Sequence, residues 1–287
     1  MFRSLLGVAA FIVGSTAFAA DAVTVKIRKI AAGDMVQVTS VESMETVSKL
    51  TANGKTEEKT EKTGLKVKFT EEVLTLDKDG KKPATARRSY EKAEATKGDA
   101  AATAISLVGK PIDIALDKDG KYTFTQDGKP VGPDALDILV KDFAKKGNNR
   151  DEVVFPKTPV KPGDSWPIEI EKAAADLAGE GATIDFKKST ATGKLVKTYE
   201  QGGKTFGVIE VTMDLVVTEL KSGQTIPLKA GSNIKIEVVL DGCIDGTEST
   251  GKSNVKFNGK FDVDLPGLEM TLKLTGTNTG EKKQIVK

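Results

Sequence analysis

Residues 226–263 read IPLKAGSNIKIEVVLDGCIDGTESTGKSNVKFNGKFDV, and this stretch decides the fold. Apolar and polar side chains alternate along it, which is the period of a strand with one buried face. Gly-rich turns divide it into two runs, 226–240 and 249–263. Because the links are short, we expect consecutive strands to pair antiparallel, since a parallel pair needs a crossover of about a dozen residues or more.

The same alternation extends over most of the chain. A shift of phase before Leu74 and Leu76 predicts a β-bulge. The fold class is therefore mainly β, a long antiparallel meander that forms an open or half-closed barrel. Besides the two runs above, long extended segments are expected at 35–50, 183–199, 206–220 and 268–286.

Two copies of Leu-Asp-Lys-Asp-Gly-Lys, at 76–81 and 116–121, mark chain reversals. Aspartate nucleates turns, and glycine accepts the positive φ that tight hairpins require. A calcium loop would continue its oxygen ligands to a glutamate at the twelfth position, where Arg88 and Gly128 stand instead. We therefore interpret both copies as hairpin turns and predict no metal site.

One amphipathic helix is expected near 133–146. Its apolar stripe has i, i+3, i+4, i+7 spacing and is expected to pack against the sheet. Proline and aspartate at the start, with lysines and a glycine at the end, match the chemistry of helix ends. A second, short helix is expected near 172–178. The stripe consists of Leu136, Leu139, Val140 and Phe143.

The first nineteen residues have the three parts of a secretory signal peptide. Arg3 supplies the charged start, an uncharged apolar run follows, and the small residues Ala17 and Ala19 precede the expected cleavage. The apolar run is shorter than the roughly 20 residues that span a bilayer, which favours a cleaved signal over a membrane anchor. We expect an exported protein, periplasmic or extracellular, without a transmembrane segment after cleavage.

Residues 20–287 are interpreted as a single β-rich domain in two halves, 20–155 and 168–287. Between them, residues 156–167 contain four prolines and are expected to form a connector. Trp166 is expected to fill the seam between the halves, and the alternative is that its ring contacts a ligand.

Composition excludes several functions. The 43 basic and 41 acidic residues are interspersed, so no nucleic-acid partner is predicted, because such a partner requires concentrated Lys and Arg. The absence of histidine removes Ser-His-Asp hydrolases, Cys-His proteases and His-ligated zinc enzymes. Cys243 is the only cysteine, and we interpret it as a small buried side chain on a strand rather than a reactive thiol. No cofactor is predicted.

A hydrolase that uses a Ser/Lys pair or paired carboxylates is a third interpretation. Ser89 and Lys92 have the Ser-x-x-Lys spacing of penicillin-interacting enzymes. The same spacing recurs at three other Ser/Lys pairs, as expected from a chain rich in both residues. No pair of carboxylates stands out among the 41 acidic residues. The chain is therefore predicted to be non-catalytic.

Two local motifs support a family resemblance. LVGKP at 107–111 leads into LDKDGK at 116–121, and PVKPGDSW occupies 159–166. These motifs resemble an uncharacterised exported bacterial β-rich protein family with an L-D-x-x-G hairpin and a P-V-K-x-G-D-x-W connector. More remotely, the order of strands and helix is similar to the half-barrels of periplasmic lipoprotein carriers, which hold acyl chains in an apolar concavity. The resemblance implies no catalytic residues.

Two functions therefore remain as the main alternatives. A binding protein would hold an apolar or lipid-like ligand in a concavity of the sheet, lined by Leu136, Leu139, Val140, Phe143 and Trp166. A structural or cell-envelope interaction module would need no small-molecule ligand, only a stable and charge-balanced exported domain.

Overall fold

The computed structural model describes residues 21–52, 54–144, 153–175, 181–222, 224–266 and 269–285. The predicted signal peptide, residues 1–19, lies outside these ranges. In the described part of the chain, every helix is too short or too polar to cross a lipid bilayer.

The described residues form one sheet of fifteen strands whose paired strands are all antiparallel, together with two short helices, so the predicted mainly β class is confirmed. The strands are β1 (Met35–Ala52), β2 (Lys55–Leu76), β3 (Pro83–Lys97), β4 (Thr103–Ala104), β5 (Ile112–Leu116), β6 (Tyr122–Gln126), β7 (Lys129–Pro130), β8 (Ser165–Pro167), β9 (Ala182–Ile184), β10 (Thr190–Gln201), β11 (Lys204–Ser222), β12 (Gln224–Pro227), β13 (Asn233–Cys243), β14 (Gly251–Asp262) and β15 (Glu269–Ile285). The helices are α1 (Pro133–Ala144) and α2 (Ile170–Ala173).

The order across the sheet is β7-β6-β5-β3-β2-β1-β15-β14-β13-β11-β10-β8. On either side of the centre the strands follow chain order, with β4, β9 and β12 paired outside this path. At the centre the first strand, β1, pairs with the last, β15. The two outermost strands, β7 and β8, do not pair with each other, so the sheet is open. The predicted open antiparallel meander is confirmed, and its two halves are joined by long strands at the middle.

Two of the predicted long strands are interrupted. The run at 183–199 is divided between β9 and β10 because Asp185 begins a turn, in which its carbonyl accepts the Lys188 N–H at 3.1 Å. The run at 226–240 is divided between β12 and β13 by a loop in which Gly231 has a φ of 95°.

Both predicted hairpin turns are present. The Asp77 and Asp117 carboxylates accept backbone N–H groups of their own turns at 2.8–3.1 Å, while Gly80 and Gly120 have φ values of 67° and 78°. The register between β2 and β3 slips on both sides of Thr75, which matches the predicted bulge. Turn and bulge positions could be predicted because they depend on local residue chemistry.

One face of the sheet, which we call the inner face, carries most of the buried side chains. At the helix end, α1 covers β2, β3, β5 and β6 around Phe69, Ile112 and Phe124. At the connector end, residues 153–168 cover β10 and β11, with Leu195 and Ile209 in the packed cluster. A smaller cluster lies around Leu215 and contacts α2.

Helix α1 presents only half of its predicted apolar stripe to the sheet. Leu139 and Phe143 are fully buried, whereas Leu136 and Val140 are 42% and 48% exposed. The helix is rotated so that Asp142 lies against the sheet, where its carboxylate meets the Arg88 guanidinium at 2.7 Å. Ala135 and Ile138 face the core in place of Leu136 and Val140, and the Asp142 side chain stays 44% exposed. Residues 145–146 and 176–178 of the two predicted helices lie outside the described residues.

Cys243 and Trp166 are both buried. Cys243 ends β13 and is 5% exposed, as predicted for a small strand residue. Trp166 lies on β8 opposite Gly193, and its ring occupies the space that a side chain at Gly193 would fill. Its indole N–H donates to the Val154 carbonyl at 2.8 Å. The division of the domain into two halves joined by a connector stays a prediction.

Candidate ligand-binding groove

An open cavity of about 500 Å³ lies on the inner face between the helix end and the connector end. We call it the central groove. The strand register places two rows of side chains along its floor. The first row is Val38, Lys282, Gly251, Gly242 and Gly207, and the second is Ser40, Gly280, Ser253, Leu240 and Ile209.

Three adjacent glycines keep part of the floor at the level of the backbone. A Cβ atom added at Gly251 would lie 2.9 Å from the Cα of Gly242, and one added at Gly207 would lie 2.7 Å from the Cδ1 of Ile244. At Gly251 and Gly242 the close neighbour is backbone, which cannot move aside, so larger side chains are excluded there, whereas at Gly207 the neighbour is the end of the Ile244 side chain. The floor of the groove is therefore low where these strands meet.

The groove ends where an aromatic side chain fills the same strand pair. Phe257 on β14 lies opposite Gly276 on β15, and its ring comes within 2.1 Å of where a Gly276 Cβ would lie. Two inward positions along, beyond the pair of Val255 and Asn278, Ser253 lies opposite Gly280, and no ring covers that glycine among the described residues. The choice of serine rather than an aromatic residue at 253 therefore keeps this part of the inner face open.

The sides of the groove are apolar. Its described lining combines β-strand residues with residues from the segments that cross the sheet, and the hydroxyl and amide groups of Ser40 and Asn278 lie between them. Small-molecule sites typically combine a hydrophobic surface with a few polar groups, and this lining adds charged residues to its apolar surface: Arg28, Asp241, Glu248, Lys252, Glu281 and Lys282. The apolar members are Ile27, Ile30, Val38, Phe155, Ile209, Leu240 and Ile244.

One side of the groove is formed by residues 21–34, which we call the N-terminal strap. Near its start the strap exchanges two backbone hydrogen bonds with Val160, at 2.8 and 2.9 Å. The Lys26 N–H donates to the Ile244 carbonyl at 2.7 Å, and at its end the strap exchanges two more backbone hydrogen bonds with Val73. The strap therefore spans from the connector end to the helix end of the sheet.

An ion pair closes the last turn of the strap. The Arg28 guanidinium donates to both oxygens of Asp34, at 2.6 and 3.0 Å, and the Asp34 carboxylate also accepts the Ala31 N–H at 2.8 Å. Both side chains are largely buried, which strengthens a bidentate contact of this kind. The charge of Asp34 is therefore matched within the strap itself.

The loop after β13 is fixed by Asp245. Its carboxylate accepts hydrogen bonds from the Thr205 and Thr247 N–H groups, both at 2.8 Å, from the Thr247 hydroxyl and from the Cys243 thiol. Burial opposes ionisation of this carboxyl, but the hydrogen bonds from Thr247, Cys243 and the Thr205 N–H outweigh it and hold the pKa of Asp245 well below its usual range. The loop that carries Ile244 into the groove is thus held by a charged anchor.

A smaller cavity of about 200 Å³ adjoins the groove and shares Ile30, Ser249 and Lys282 with it. We call it the basic recess. Among the described residues, neither Lys81 nor Lys282 forms an ion pair. The two carboxylates of the recess do have cations, because Asp34 binds Arg28 and Glu71 binds Arg88.

The structure does not bring the five predicted ligand-binding residues together. Leu139 and Phe143 lie in the core at the helix end, while Leu136 and Val140 lie on the outer side of α1. Trp166 lies in the separate core at the connector end. None of the five is among the described residues that line the central groove, and their role in ligand binding stays a prediction.

The sequence analysis did not identify the buried cation at the helix end. Arg88 is 1% exposed, donates to Glu71 at 2.5 and 3.0 Å, and lies with its guanidinium carbon 3.9 Å from the centre of the Phe69 ring. Its Nη1 donates to the Tyr90 hydroxyl at 2.9 Å. Burial opposes the charge, but Glu71, Tyr90 and Asp142 outweigh it and raise the pKa of Arg88.

A signal for Arg88 existed in the sequence. The alternation of β3 places Arg88 on the same face as Ala86 and Tyr90, which are buried. A charged residue at an inward position implies a buried partner, because an unpaired charge in a core is very costly. The pattern did not indicate which acidic residue that partner is.

The predicted Ser89 and Lys92 pair lies on the same strand. Ser89 is exposed, and the Lys92 ammonium binds the Glu94 carboxylate at 3.0 Å. The lysine is thus engaged by an acid, and a catalytic role for the pair gains no support from these contacts.

Comparisons with known proteins give only distant similarities. No protein-family model matches the chain, and no curated protein matches it. A solved structure described as "lipid-protein interactions in lipovitellin" is similar with a TM-score of 0.41 and 7% identity, over 88% of this chain and 25% of that one. The chain thus spans about a quarter of the lipovitellin chain. A structure of MucB in complex with MucA(peri) has a TM-score of 0.10 and 10% identity, over 84% and 89% of the two chains.

Proposed function

We propose that this protein is exported and non-catalytic, and that it binds an apolar or lipid-like ligand in the central groove. The observation that carries the proposal is an open apolar cavity between two filled cores on one face of a single sheet. Its volume of about 500 Å³ lies within the range of about 300–1,000 Å³ that small-molecule sites occupy.

The two ends of the inner face are filled by the protein itself. Aromatic rings of Tyr122, Phe124 and Phe143 pack edge to face at the helix end, and Trp166 covers Gly193 at the connector end. Six of the ten floor positions between them are glycine or serine, so apolar side walls face an unfilled space. A ligand chain bound there would fill the space between the two packed clusters of the inner face.

The energy of binding would come from apolar burial. Each methylene removed from water contributes about 0.8 kcal/mol, and the side walls supply apolar contacts on both sides of the floor. The N-terminal strap and the loop around Ile244 are held by backbone hydrogen bonds and by Asp245. A preformed site of this kind avoids the entropy cost of ordering loops on binding.

Export is supported by the signal-peptide pattern of residues 1–19. The single buried thiol of Cys243 needs no redox partner and is compatible with an oxidising compartment.

A groove-filling substitution tests the proposal with the neutral apolar dye Nile red as probe. Phe257 over Gly276 provides the template, because Ser253 lies opposite Gly280 in the same strand pair. In Ser253→Phe, the new ring would lie over Gly280 and occupy the groove. We expect the dye to bind the wild-type protein with enhanced fluorescence, and the substitution to weaken binding about tenfold, or about 1.4 kcal/mol.

The matched control is Asn254→Phe, which places the same side chain on the opposite, exposed face of β14. It should leave dye affinity unchanged, and circular dichroism should show that both variants keep the sheet. Equal binding by the wild-type protein and Ser253→Phe would contradict the groove as the site. A wild-type protein that binds neither dye nor lipid would support an interaction module without a small-molecule ligand.

A further inference from the structure

The basic recess and the central groove share part of their lining. Lys282 lies on the inner face of β15, directly between Val38 and Gly251 in the first row of the floor, and it lines both cavities. Ile30 and Ser249 are shared in the same way. A molecule with an apolar chain in the groove would therefore have its polar end next to the residues that the two cavities share.

Around this junction, the acidic and basic side chains differ in whether they have ion-pair partners. The carboxylates that line the two cavities from the inner face all contact cations: Asp34 binds Arg28, Glu248 binds Lys204, and Glu71 binds Arg88, which it shares with Asp142. Asp241 and Glu281 alternate to the opposite side of their strands, where Glu281 pairs with Lys252 at 3.9 Å.

The two lysines of the recess have no ion-pair partner of this kind among the described residues. Lys81 and Lys282 form no ion pair with any residue in the described ranges. Two uncompensated ammonium groups beside an apolar groove produce a positive potential that attracts an anion to this end of the cavity. Ser249, which also lines both cavities, carries a hydroxyl group that can donate a hydrogen bond.

We propose that the ligand of the central groove is an amphipathic molecule with an anionic head group, a carboxylate or phosphate, which Lys282 and Lys81 hold in the basic recess while its chain lies along the groove. This inference rests on the proposed binding function and adds the chemical class of the ligand and its orientation. The chain would lie against Val38, Leu240 and Ile209, and the head group would lie near the ammonium of Lys282.

The experiment compares four competitors with the same alkyl chain. Dodecanoate, dodecyl phosphate, dodecanol and dodecylamine are each titrated against Nile red bound to the wild-type protein. We expect both anions to displace the dye more effectively than the alcohol by about fivefold, the contribution of a good exposed ion pair. The amine, a cation at neutral pH, should be the least effective.

Two substitutions assign the preference to the recess. Lys282→Gln should remove most of the advantage of the anions while leaving displacement by dodecanol unchanged, and Lys282→Glu should reverse the order so that dodecylamine exceeds dodecanoate. The control is Lys283→Gln, which changes the neighbouring exposed lysine on the opposite face of β15. This substitution should leave the displacement of Nile red by all four competitors the same as in the wild-type protein.

The outcomes separate the two proposals. Equal displacement by all four competitors, or an anion preference that survives Lys282→Glu, would overturn the head-group assignment and leave the groove proposal intact. Failure of every competitor, together with failure of Nile red to bind, would overturn the proposed function itself.

Discussion

The helix end and the central groove lie on the same face of the same sheet, but they are built from different residue types. At the helix end, large side chains and a buried ion pair fill the space under α1. In the groove, glycine and serine occupy six of the ten inward positions of the floor. An antiparallel sheet does not itself create a cavity, so the size of the inward side chains decides where the face is closed and where it stays open.

A substitution in the buried ion pair at the helix end should cause the largest loss of stability. Arg88→Ala would remove the cation from Glu71 and Asp142 and the contact with the Phe69 ring. Removing one partner of a buried pair costs about 3–5 kcal/mol, and we expect the free energy of unfolding to fall by this amount in urea titrations.

The neighbouring arginine is the control for this change. Arg87 pairs with Asp113 at 2.8 Å, but both side chains are about half exposed, and such pairs contribute only about 0–1 kcal/mol. Arg87→Ala should therefore leave unfolding almost unchanged. Similar losses in the two variants would show that the buried network does not stabilise the helix end.

An intermediate loss of stability is expected at one of two glycines of β15, which lie opposite Phe257 and Ser253. In Gly276→Ala the new Cβ would lie 2.1 Å from the Phe257 ring, so the ring must move. Overpacking of this kind costs about 1–3 kcal/mol. In Gly280→Ala the nearest atom is the Ser253 hydroxyl, which can rotate away, and the change should be within about 0.5 kcal/mol.

Thermal unfolding of the two variants measures this contrast. A loss at Gly280 as large as that at Gly276 would mean that the groove floor is packed as tightly as its filled neighbour. That result would weaken the proposed ligand site as well.

The smallest change in stability should result from substitution of Asp245, and its size should depend on pH. Because the folded protein holds the pKa of Asp245 below its value in the unfolded chain, about 3.9, this carboxylate stabilises the fold at neutral pH. The contribution is lost as the pH falls below about 4 toward the folded-state pKa. Asp245→Asn should therefore lower the urea midpoint at pH 7, and the difference from wild type should shrink at pH 3.

A local probe and a control accompany this measurement. The Cys243 thiol, which contacts the Asp245 carboxylate at 3.1 Å, should be alkylated faster in Asp245→Asn. Asp99→Asn changes an aspartate whose side chain is 93% exposed and should alter neither the midpoint nor the thiol rate. A midpoint difference that grows on acidification would contradict the assigned role of Asp245.

Much of the fold could be predicted because its signals are local. Alternation predicted antiparallel strands, Asp-Lys-Asp-Gly predicted both hairpins, and the phase shift before Leu74 predicted the bulge. The orientation of α1 could not be predicted, because the apolar stripe with Leu136 and Val140 competes with the ion pair between Asp142 and Arg88. The periodicity of one helix contains no information about a partner more than fifty residues earlier in the chain.

The candidate site could not be predicted from the sequence alone either. The three glycines that meet in the groove floor, Gly207, Gly242 and Gly251, come from three strands and become neighbours only when the register is fixed. The pairing of β1 with β15 joins Val38 to Lys282 across most of the chain length.

The sequence by itself determined that this chain forms strands with one apolar and one polar face, and where most of them turn, since period and turn chemistry are properties of neighbouring residues. Only the tertiary structure decided which inward residues stand side by side, because pairing between distant strands is set by the packing of the whole sheet. That packing leaves small residues together in one place and so opens the groove, with Lys282 at its edge.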